Sequence, residues 1–168
     1  MRQVGFDFEV IVSDVDEDIG ERDPAEMVRK LAYAKAESVA REAADAIVIG
    51  ADTTVWIDGE ILGKPSDAAH AFNMLKQLSG RMHTVYTGLA VFNTVTNERE
   101  VTVDTTDVYF RELSDTEIKT YVATGEPMGK AGSYGIQGRA AMFVERVEGD
   151  FFTIVGLPLY RLSRFMIY

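Results

Sequence analysis

The sequence predicts an α/β protein with a mixed sheet, one domain over residues 1–168, and three observations carry that expectation. Ala46–Gly50 (AIVIG) is a short continuous apolar run, typical of a strand buried inside an α/β sheet. Residues 84–92 and 100–110 alternate apolar and polar side chains, as antiparallel strands do. Segments with helical spacing and capping residues lie between the strand-like runs, which mixes parallel-type with hairpin-type connections.

Taken in order, Phe6–Val12 (FDFEVIV) is rich in aromatic and β-branched residues and predicts a strand. An acidic loop, residues 13–18, follows it. Asp23-Pro24 predicts a helix start, with Asp23 as N-cap and Pro24 in the first turn, and the apolar face continues to about Ala44. Asp58-Gly59, between Val55-Trp56-Ile57 and Glu60-Ile61-Leu62, is a hairpin turn signal. Ser66-Asp67 to Leu78 predicts a helix closed by Ser79-Gly80, and Ser114 with Glu117 forms a capping box for another. Residues 124–138 hold five glycines in fifteen positions and show no helical period. Met142–Val147 and Phe151–Val155 predict strands, and Leu157-Pro158 opens a last helix.

Composition excludes several functions. The 17 basic and 27 acidic residues leave a net charge of −10, which disfavours coating nucleic acid or an anionic membrane. With no Cys and two His, a disulfide framework, a Cys nucleophile and a multi-histidine metal site all fall away. No apolar run reaches a membrane span and no signal-peptide pattern opens the chain, so the expectation is a cytoplasmic domain.

Two segments break the ordinary pattern. In Gly50-Ala51-Asp52-Thr53-Thr54 a carboxylate ends a buried strand, where α/β sheets bind ligands. An isolated Asp there would usually cap a turn. Gly63-Lys64-Pro65, however, returns a Lys toward the same strand end, and the pair suggests a base beside a phosphate-neutralising cation. The second segment, Gly125–Gly138, sets Lys130 and Gln137 among glycines whose N–H groups can wrap an anion. It lacks the Walker spacing, and as a bare glycine loop it equally describes a connection. Gln137 offers one donor and one acceptor, suited to a base edge. Asp14, Asp16, Glu17 and Asp18 include enough carboxylate for Mg²⁺, which needs only one or two, though a solvated acidic loop has the same composition. Lys35 by itself is a surface charge on the first helix. His70 and His83 are given no catalytic role.

These residues resemble the Maf family of nucleoside triphosphate pyrophosphatases. The resemblance runs through Val12–Glu17, Ile49–Thr53, Ile61–Pro65, Leu78–Gly88, Gly125–Gly138, Gly149-Asp150-Phe151 and Val155–Leu159, in the family's order across essentially the whole chain. It implies an elongated α/β fold similar to inosine triphosphate pyrophosphatase, with two lobes around a central cleft. It also implies cleavage between the α- and β-phosphates of a nucleotide, a divalent cation (Mg²⁺ or Mn²⁺) and often a homodimer. Asp52 stands where the family has its water-activating base. Lys35, Lys64 and Lys130 match its phosphate-binding lysines, and Asp16 and Glu17 its acidic metal region. Thr53 and Gln137 match the branch acting on dTTP and UTP, with the 7-methyl-GTP branch second. The family's opening strand and Ser-x-Ser-Pro-Arg-Arg loop have no counterpart in this sequence. The expectation is therefore a chain N-terminally truncated relative to the family, with activity far below that of an extended version. A nucleotide-binding regulator of septum formation without turnover is the alternative.

Overall fold

The computed structural model describes residues 1–166. Helix α1 spans Pro24–Ala40, and the Asp23 side chain accepts the Glu26 N–H at 2.9 Å, the N-cap that the sequence announces. Strand β1 (Ile47–Ile57) turns through Asp58 and Gly59, both at positive φ, into β2 (Glu60–Leu62). Helix α2 (Ala68–Leu78) starts at the Asp67 cap. Strands β3 (Met82–Asn93) and β4 (Arg99–Phe110) form the long hairpin, and α3 (Asp115–Val122) opens with the Ser114/Glu117 capping box. Short 3-10 turns at Ala131–Ser133 and Arg139–Phe143 punctuate the following segment before β5 (Val144–Glu148). Helices α4 (Phe151–Val155) and α5 (Leu159–Phe165) close the described chain.

The sheet order is β2-β1-β3-β4-β5. Cross-strand partners share a face, so the register divides the sheet cleanly. On one face Val48, Ala90 and Phe92 pack against Ala32 and Ala36 of α1. The opposite face carries the main core, where Val55, Val85 and Val108 meet Leu75 and Leu78 of α2 and Ile118 of α3. Farther along that face Leu89 and Val91 pack on Leu162 of α5. The α/β class and the flanking helices are as expected.

Three expectations are corrected. Every strand pairing among the described residues is antiparallel, where a mixed sheet was expected. The reason lies in Phe6–Val12: it would have made a parallel crossover through α1 to β1, but it runs outside the sheet with Val10 and Val12 exposed. Strand propensity without a neighbouring edge leaves the backbone unpaired. Phe151–Val155 is a helix rather than a strand. Asp150 caps its start by accepting the Phe152 N–H, and Gly156 ends it in the left-handed region at φ 98°. The caps at both ends outweigh the β-branched composition between them. The first helix also stops at Ala40, short of Ala44.

Candidate active site

Between β1, α1 and residues 125–138 lies an open cleft of about 1010 Å³. It wraps the edge of β1. Beyond its three-residue pairing with β2, that edge has no strand beside it among the described residues. Asp52 and Thr54 line the cleft from one face of β1, Thr53 and Val55 from the other.

Asp52 sits at the middle of β1, opposite Gly88 of β3. The helix that covers this face comes unusually close, because nothing but hydrogen projects from the sheet at two points. A Cβ at Gly50 would lie 2.4 Å from the Ala32 carbonyl oxygen, and one at Gly88 would lie 2.2 Å from that of Val28. Ala32 and Ala36 are small enough to complete the seat. Backbone contact of this kind holds α1 at a fixed height, and it brings Lys35, three residues past Ala32, directly onto the strand.

The Lys35 ammonium donates to Asp52 Oδ1 at 2.7 Å and to Glu17 Oε1 at 2.8 Å. Lys64, delivered by the turn after β2, donates to the other Glu17 oxygen. The result is an alternating chain of charges, Lys64–Glu17–Lys35–Asp52. Burial raises the Asp52 carboxyl above its ordinary pKa of 3.8, opposed by the Lys35 ammonium. Hydrogen bonds from Lys35 and Lys64 hold Glu17 down at about 2. For Lys35, burial disfavours the ammonium, but the bonds to Asp52 and Glu17 outweigh it and keep the group charged.

Thr53 faces the other way. Its hydroxyl lies 2.8 Å from that of Thr87, and Thr87 donates its one proton to the Thr153 carbonyl at 2.7 Å. Thr53 must therefore donate to Thr87, which leaves its oxygen as an acceptor toward the cleft. Lys130 and Gln137 also line the cleft, so the structure gathers eight of the sequence candidates there: Glu17, Asp18, Lys35, Asp52, Thr53, Lys64, Lys130 and Gln137. The Lys130 ammonium donates to the Glu126 carbonyl at 2.6 Å. Asp16 stays out: its carboxylate turns back to accept the Asp18 N–H at 3.0 Å, and it is exposed.

Glu126 is a residue the sequence reading passed over. Its carboxylate accepts the Arg139 N–H and the Tyr121 hydroxyl, and Gly138 is placed so that a Cβ would lie 2.1 Å from it. It closes the glycine segment into a loop. The only signal in the sequence was the glycine at 138, which gives no hint of its partner. Glu17 lines the cleft beside Asp52, both accepting from Lys35, and is the carboxylate there that would hold a divalent cation. Among the described residues no group of three or more His, Asp or Glu side chains stands together; Mg²⁺ is a cation that draws much of its shell from water and ligand phosphates.

The family described as Maf-like protein matches residues 1–167. A dTTP/UTP pyrophosphatase of Pelotomaculum thermopropionicum is 50% identical over 164 residues, covering 97% of this chain and 86% of that protein. A protein of the same description from Dictyoglomus thermophilum is 48% identical over 165 residues, with 97% and 86% covered. Another from Bacillus cytotoxicus is 52% identical over 159 residues, with 94% and 82% covered.

Proposed function

The chain belongs to the Maf family, and on that footing we propose that it hydrolyses dTTP and UTP to the monophosphate and pyrophosphate. The observation that carries the reading is the buried Asp52 carboxylate on Lys35, at the wall of a cleft lined by two further lysines. Cleaving a phosphoanhydride demands an oriented water, a base to take its proton and positive charge along the phosphates.

Asp52 is suited to the base role. Burial makes its carboxylate more basic than one in water, and the Lys35 ammonium opposes that rise by favouring the charged form. Lys64 and Lys130 flank the cleft and offer charge to the phosphates. Lys35 and Lys64 are already matched by Glu17 and Asp52, two positive charges against two negative. A triphosphate therefore needs positive charge beyond these lysines. Mg²⁺ held by Glu17 would supply it and would leave Asp52 free for the proton; Asp16, exposed and turned back onto the Asp18 N–H, is not placed to join it.

Base recognition follows from the hydroxyl directions. Thymine and uracil present an N3–H between two carbonyls. Thr53 offers an acceptor alone, and Gln137 an amide that can donate to a carbonyl and accept in turn. Cytosine, with no proton on N3, would leave the Thr53 acceptor facing another acceptor. A protein acting on free nucleoside triphosphates fits the cytoplasm.

Pyrophosphate release from dTTP, UTP, CTP, 7-methyl-GTP and dITP in the presence of Mg²⁺ tests the reading. The expected result is turnover of dTTP and UTP that falls about 10²- to 10⁴-fold in Asp52→Asn, the range for a lost general base. Equal turnover by Asp52→Asn, or silence on every nucleotide, would overturn it.

A further inference from the structure

His83 stands on β3 in the main core and is 1% exposed. Its Nε2 is hydrogen-bonded to the Tyr134 hydroxyl at 2.8 Å, while its Nδ1, also buried, has no partner. Phe110 and Tyr134 pack edge-on against the imidazole, with ring centroids 4.9 and 5.4 Å away. This is a costly place for the ring. Burial depresses its pKa to about 4, so it is neutral at working pH, and one nitrogen goes unsatisfied. A phenyl ring would fill the space beside Phe110 without either cost. What imidazole alone supplies is the bond to Tyr134.

Tyr134 belongs to the glycine segment, midway between Lys130 and Gln137. That segment has little regular structure to hold it. The Gly132 N–H donates to the Gly63 carbonyl at 3.1 Å near its middle, and the Glu126 carboxylate clasps Arg139 at its ends. Between Gly132 and Gly138 the Tyr134 and Ile136 side chains reach into the main core. Tyr134 is fixed there by its bond to the imidazole, and its neighbour Ser133, fully buried, by a weaker bond from its hydroxyl to Met74 Sδ at 3.0 Å. Lys130 and Gln137 flank that anchor on either side, so any lift of Tyr134 moves both side chains relative to Asp52.

We propose that the His83–Tyr134 hydrogen bond is a positioning device: it sets the seat of the glycine segment over the cleft, so that His83 governs nucleotide affinity and pyrimidine preference without touching the nucleotide. The role rests on the pyrophosphatase reading, but the bond's effect on the segment does not.

The experiment compares His83→Phe, Tyr134→Phe, the double variant and His83→Gln, whose amide can donate to or accept from the Tyr134 hydroxyl in place of Nε2. Amide hydrogen exchange of residues 130–138 is measured without nucleotide, alongside KM, kcat and the dTTP-to-CTP preference. Exchange in the segment is expected to accelerate in both single variants. KM for dTTP should rise about tenfold in each, the worth of one buried hydrogen bond, with kcat changed less and the preference for dTTP reduced. The double variant should be no worse than either single one, and His83→Gln should recover most of the affinity. Unchanged exchange in both single variants overturns the proposal whatever the turnover. So does faster exchange with unchanged KM, or a KM rise that His83→Gln leaves uncorrected. A wild-type chain silent on dTTP would instead sink the pyrophosphatase reading and leave the exchange comparison to decide the anchor.

Discussion

Lys35 donates to two carboxylates at once, and its removal should be visible in the pH dependence of catalysis. The acid limb of kcat/KM reports the base of the free enzyme. Asp52 is raised by burial and restrained by the Lys35 ammonium. Lys35→Met removes the restraint, so the limb should move to higher pH, whatever happens to the rate at its plateau. A limb that stays in place would mean that Asp52 is not the titrating base. His83 gives the second residue-scale expectation, this time in stability. Its folded pKa of about 4 lies below the ordinary 6.5, so between those values the unfolded chain binds more protons. Stability is complete above pH 6.5 and falls as pH drops through that window, by about 3 kcal/mol at most for one histidine. Urea unfolding at pH 7 and pH 5 should show the loss, and His83→Phe should reduce it.

At the scale of elements, the seat of α1 decides whether a site exists. Gly50 and Gly88 owe their place to the helix above them rather than to any turn, since a Cβ at either would run into helix backbone. Gly88→Ala must push α1 away from the strand that holds Asp52. A cost of about 3 kcal/mol is expected from overpacking against a rigid backbone. Because Lys35 rides on the same helix, dTTP turnover should fall further than the lost stability explains, measured at a temperature where the variant is fully folded. Gly59 provides the contrast: its positive φ of 87° serves the β1–β2 turn alone, with nothing near its missing Cβ. Gly59→Ala should cost stability through backbone strain and leave the acid limb of turnover where it was.

Among the described residues, the β1 side of the sheet is largely open. The β2 strand covers only Val55–Ile57 of β1, and the cleft follows the uncovered remainder. Near the start of the described chain, Phe8, Val10, Ile11 and Val12 are all exposed, with Val12 at 85%. An unpaired edge and a strand-like apolar segment in one molecule favour pairing between copies. The net charge of −10 opposes that association at low salt and less so when screened. Self-association by sedimentation should therefore rise with ionic strength, and Val10→Lys with Val12→Lys should suppress it with little change in unfolding free energy. Salt-independent sedimentation would remove the edge from consideration.

The helix starts at Pro24, Ala68 and Asp115, the Asp58-Gly59 turn and the β3–β4 hairpin were legible in the chain itself, because caps, turn residues and alternation act within a few positions. The candidate residues were legible too, through the resemblance that ordered motifs carry along the chain. Tertiary structure alone decided the rest. Phe6–Val12 has every mark of a strand, yet a strand needs a partner edge, and propensity cannot provide one. Thr53 became an acceptor only once Thr87 spent its proton on Thr153. Asp16 and Glu17 are adjacent in sequence, but only Glu17 meets Lys35 and Lys64, because those lysines come from a helix and a turn far along the chain. Local chemistry is written in local sequence; which charges meet depends on how closely two glycines let a helix approach a sheet.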